Sequence, residues 1–70
     1  MLKLMLARKQ KGMTQDELAD RLNEAAGSSW IKQNISYWET GKRKIDGFTL
    51  KHIAKILDVT TDFLLEMEVR

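Results

Sequence analysis

Residues 12–22, Gly12-Met13-Thr14-Gln15-Asp16-Glu17-Leu18-Ala19-Asp20-Arg21-Leu22, decide how the rest of the chain is read. Thr14 to Glu17 has the pattern of a capping box. The threonine hydroxyl accepts from the backbone N–H three residues on, and the glutamate there accepts from the threonine's own N–H. Met13, just before the cap, and Leu18, at the fourth helical position, have the spacing of a hydrophobic staple. Leu18, Ala19 and Leu22 then recur at i, i+1 and i+4, the apolar stripe of a helix with one face on a core. Asn23 to Ala26 can carry this helix on to Gly27.

Upstream, the pattern predicts a first helix over about Leu2 to Lys11, ended by Gly12 in the left-handed conformation. Lys9 and Lys11 suit the negative end of its dipole. Downstream, Ser28 or Ser29 can cap a third helix that runs to about Thr40 and stops at Gly41. Ile31, Ile35 and Trp38 follow i, i+4, i+7 as its inner face. Lys32, Gln33, Ser36 and Tyr37 fall on other sides. Lys42 to Gly47 reads as a connector. A fourth helix is expected over Phe48 to Leu57, with Leu50, Ile53, Ala54 and Leu57 inward, broken by Asp58-Val59. Thr60 can cap a last short helix, with Asp62 in its first turn where negative charge is favoured and with Phe63 and Leu64 closing the core. No alternating strand pattern, repeat or low-complexity tract interrupts this all-α reading.

Composition narrows the function classes. The 70 residues suit one domain over 1–70, with a core thin enough that self-association would help. The absence of cysteine removes disulfides and thiol chemistry and fits a reducing cytoplasm. Met1 to Leu6 is mostly apolar but short, and the basic residues Arg8, Lys9 and Lys11 follow it, the reverse of a signal peptide. No apolar run approaches the length of a membrane span, so no membrane partner is expected. Net charge is only +2, but it is segregated. Residues 1–12 hold four bases and no acid, and residues 32–44 hold Lys32, Lys42, Arg43 and Lys44 against Glu39 alone. The acids gather at Asp16, Glu17, Asp20 and Glu24 and at Asp58, Asp62, Glu66 and Glu68. Such a chain can present one positive face to a polyanion. His52 is the one histidine, and there is no nucleophile triad, metal cluster or phosphate-cradling glycine loop, so no enzyme, cofactor or metal is expected.

Three blocks in order, Gly12 to Ala19, Ile35 to Arg43 and Ile53 to Val59, together resemble the Cro/CI-type (XRE) helix-turn-helix family from about Leu4 to Leu65. The resemblance implies a five-helix, lambda-repressor-like DNA-binding domain whose second and third helices form the helix-turn-helix. It implies a transcriptional regulator, a repressor or Cro-like switch, that binds a double-stranded DNA operator as a homodimer in a bacterial or phage cytoplasm, at the nucleoid. An antitoxin or protein-interaction module on the same fold is the alternative. With no second domain expected, no small-molecule ligand is expected either.

The residues of the third helix, around 29–40, suit that role physically. An α-helix fits the major groove, where each base pair shows a distinct donor and acceptor pattern. Lys32 can donate to guanine, Gln33 can pair bidentately with adenine, and Ser36, Tyr37 and Asn34 are further base-contact candidates. Lys42, Arg43 and Lys44 suit phosphates, with Thr40 as a hydroxyl donor. The resemblance assigns Gln15 to a phosphate or to bracing a base-reading side chain, and it pairs Arg8 with Glu39 as a structural ion pair. Its usual turn between the two helices has about four residues, whereas the interval from Leu22 to Ile35 exceeds the usual pattern by about six. Either the second helix is longer, or the third gains a turn that pushes Ser28, Ser29 and Trp30 toward DNA, or both. Trp30 can alternatively replace a core residue of the turn. The apolar surplus around Phe63, Leu64, Leu65 and Met67 is the expected dimer surface.

Overall fold

The structure, a computed structural model, describes residues 3–65. Five helices follow in order: α1 Leu4–Gln10, α2 Gln15–Ala26, α3 Lys32–Thr40, α4 Gly47–Leu57 and α5 Thr61–Leu65. The expected start at Leu2 and the expected dimer residue Met67 lie outside the described residues. The core is built from Leu4, Ala7, Leu18, Ala19, Leu22, Ile35, Trp38, Leu50, Ile53, Ala54, Leu57 and Leu64. In it α2 packs against both α3 and α4, α1 against α3 and α5, and α4 against α5. Each fully buried leucine or isoleucine contributes about 1.5–3 kcal/mol.

The start of α2 follows the local code. Thr14 Oγ1 accepts the Glu17 N–H at 3.1 Å, and Glu17 Oε1 accepts the Thr14 N–H at 2.8 Å. Met13 packs against the core as the staple requires. At the other end Gly27 stops the helix with φ +66°.

The segment between α2 and α3 corrects two expectations. The third helix begins at Lys32, so neither Ser28 nor Ser29 caps it and the range 29–40 shortens to 32–40. Ile31 is not part of the inner stripe. It stands at the N-cap with extended backbone (φ −118°, ψ 169°) and is 59% exposed. The physical reason is Asn23. Its Nδ2 donates to the Trp30 carbonyl at 2.8 Å, and its Oδ1 accepts both the Trp30 N–H at 2.7 Å and the Ser28 hydroxyl at 2.9 Å. Those bonds hold residues 28–30 as a loop rather than a helical turn. The extra residues therefore lengthen α2 and the loop, and α3 gains no turn. Trp30 takes the core alternative, its ring edge-on to Trp38 with centroids 5.1 Å apart.

Helix α4 starts one residue earlier than expected because Asp46 caps it. One carboxylate oxygen accepts the Thr49 N–H at 3.0 Å and the other accepts the Thr49 hydroxyl at 2.7 Å. These two bonds, the hydroxyl first, hold the Asp46 carboxyl below its ordinary pKa. Asp58 ends α4 in the left-handed region, at φ +58°. In α5 the Thr60 hydroxyl accepts the Phe63 N–H at 3.0 Å. Leu64 is fully buried there and so drops out of the expected dimer surface, while Leu65 is half exposed.

Candidate nucleic-acid interface

Helix α3 divides cleanly. Ile35 and Trp38 are buried in the core, and Glu39 is buried beside them. Lys32 and Gln33 are exposed, and Ser36 and Tyr37 are half-buried. Among the described residues no hydrogen bond or ion pair engages the side chains of Lys32, Gln33 or Ser36. A row of polar side chains without internal partners, on a rod anchored by its opposite face, is what reading a groove requires.

Asn34 sits differently. Its Oδ1 accepts the Ile31 N–H at 3.0 Å, satisfying a backbone donor at the start of α3. Bidentate pairing with adenine uses both halves of the amide, so Asn34 would have to release this bond to read a base. Thr40 is likewise occupied: its hydroxyl donates to the Ser36 carbonyl at 2.9 Å, one turn back.

At the C-terminal end of α3 the basic loop folds back on Tyr37. The Tyr37 carbonyl accepts the N–H of Lys42 at 2.9 Å and of Arg43 at 3.3 Å. The Lys42 ammonium and the Arg43 guanidinium each lie 5.9 Å from the Tyr37 ring centre. Tyr37, Lys42 and Arg43 are thus brought together, and Lys44 is exposed beyond them.

The remaining site residues meet under α3. Arg8 Nε donates to Glu39 Oε2 at 2.6 Å and its Nη2 to Oε1 at 3.3 Å. Its Nη1 donates to the Met13 carbonyl at 2.7 Å. Gln15 Nε2 donates to Glu39 Oε1 at 3.0 Å. One carboxylate therefore ties α1 and the first residue of α2 to the end of α3, and the planar guanidinium forks onto both of its oxygens. Among the described residues no buried side-chain polar atom lacks a partner.

A helix-turn-helix family profile matches residues 4–64. The chain belongs to the XRE-type helix-turn-helix family. This is a family of DNA-binding regulators and not of enzymes. The XRE-type chain is similar to YqaE of Bacillus subtilis, described as an uncharacterized HTH-type transcriptional regulator, with 38% identity over 65 residues. That match covers 93% of this chain and 51% of YqaE, so the chain spans about half the length of this curated relative. No solved structure gives a significant match. Among the described residues no helix is long and apolar enough to cross a membrane.

Two residues that set where helices of this XRE-type chain begin are not among those singled out from the sequence. Asp46 had a local signal, an acid three residues before Thr49 at the head of an apolar run. Asn23 had none, because its role depends on residues 28–30 doubling back along the end of α2.

Proposed function

We propose that the chain is a sequence-specific regulator of transcription, a repressor or Cro-like switch, that lays α3 in the major groove of an operator. The observation that carries this reading is the division of α3: an apolar face locked in the core, and Lys32, Gln33 and Ser36 off that face with side chains that have no hydrogen-bond or ion-pair partner among the described residues. Lys32 and Gln33 are assigned to base edges, with Ser36 and Tyr37 at the groove wall. Lys42, Arg43 and Lys44 are assigned to flanking phosphates, where they add affinity without sequence choice. The N-terminus of α2, with Gln15, faces phosphate through its backbone N–H groups, while the Gln15 amide braces Glu39. Asn34 and Thr40 shape the two ends of α3.

The working unit is a homodimer acting in the cytoplasm. Half-exposed Leu65 and partly buried Phe63 leave apolar surface on α5 that a second copy could cover. A two-fold dimer would read half-sites about one DNA turn, roughly 34 Å, apart. Selection of bound sequences from a random duplex pool tests the proposal. Recovery of a palindrome with that spacing supports both the reading helix and the dimer. Binding that depends on salt but enriches no sequence would overturn it.

A further inference from the structure

The N-cap of α3 breaks a local rule. Helix starts favour serine, threonine, aspartate or asparagine, whose side chains satisfy an orphan N–H. Here the position is Ile31, whose side chain accepts no hydrogen bond and which leaves 59% of its surface exposed. Single exposed apolar residues are ordinary. This one, however, forgoes a cap at the end of the helix that a helix-turn-helix protein points at the bases. Local rules tend to be broken where function demands it.

The placement is also fixed. Trp30 is turned inward on Trp38, whereas Ile31, on extended backbone, is turned outward. Asn23 holds both the N–H and the carbonyl of Trp30, and Asn34 holds the N–H of Ile31. The isoleucine is therefore gripped from before and behind, and its β-branched side chain has few rotamers of its own. It is a rigid apolar knob beside Lys32 and Gln33.

We infer that Ile31 is a specificity residue that reads a thymine through its C5-methyl group. In the major groove that methyl is the apolar mark of a base pair, and apolar side chains recognise it by contact. Lys32 and Gln33 suit guanine and adenine; Ile31 adds an apolar contact to thymine. This inference rests on the DNA-reading function proposed above.

The test uses the full chain and its selected operator, with each thymine replaced in turn by deoxyuridine, which lacks only the methyl. One replacement per half-site should weaken the parent protein by roughly 3- to 10-fold, as expected when one buried methyl is removed. In Ile31→Ser the same replacement should matter less than about twofold. That variant supplies a good cap, so its melting temperature should hold or rise, which separates lost reading from lost folding. Equal sensitivity to deoxyuridine in both proteins, or none in the parent, would overturn the role of Ile31 and leave the operator reading standing. Failure to enrich any operator would remove both.

Discussion

Arg8 and Glu39 are charges that water barely reaches, with side chains 8% and 2% exposed. Taking both into the interior is costly, and the fork between them offsets that cost only while both are present. Glu39→Ala is therefore expected to destabilise the fold by about 3–5 kcal/mol in urea denaturation, because it strands a buried guanidinium. Replacing the pair together, Arg8→Met with Glu39→Leu, should recover most of that loss. Gln33 makes the opposite case, since its side chain has no hydrogen-bond or ion-pair partner among the described residues. Gln33→Ala should leave the melting curve unchanged, relax one base position of the operator and cost about 1–3 kcal/mol in binding. Which residues face out was legible for Lys32 and Gln33, because the apolar period of Ile35 and Trp38 fixes the opposite face. It was not legible for Ile31. A period says which residues share a helical face but not where the helix begins, and extended backbone at residue 31 takes that side chain out of the count.

The helix boundaries repeat that lesson. The ends of α2 were readable because the signals are contiguous: the box from Thr14 to Glu17 and the glycine at 27. The start of α3 was not, because it is set by Asn23, eight residues upstream of Ile31 in a different helix. Two serines in a row look like caps until a side chain from elsewhere claims the loop. The cap of α4 carries its own pH dependence. The Asp46 carboxyl has a lowered pKa in the folded chain, so its contribution is complete above the ordinary carboxylate value of 3.8 and fades as pH falls through the lowered one. Asp46→Ala should accordingly melt at a lower temperature than the parent at neutral pH. The gap should close on acidification below the carboxylate range, as followed by helical circular dichroism. A gap that stayed constant with pH would mean that the cap acts through shape and not charge.

For the molecule as a whole, affinity and choice are assigned to different segments. Lys42, Arg43 and Lys44 lie beyond the end of α3 and are exposed. Changing all three to glutamine should flatten the dependence of log K on log salt by up to about 0.9 for each phosphate that is no longer neutralised. It should leave the preferred sequence intact, which a second selection would verify. The XRE-type architecture was legible in the order of the three sequence blocks, whereas dimer geometry was not, since a surplus of apolar residues in a short terminal helix does not say which of them a partner covers. Leu64 shows the difficulty: it belongs to the surplus and lies fully inside. The side-chain bonds that hold α3 in place run through its inner face and its two ends, and none passes through the side chains of Lys32, Gln33 or Ser36. Those three positions can consequently be rewritten as a set while the scaffold stays as it is. On the proposed reading, descendants of this chain can exchange one operator for another without relearning how to fold.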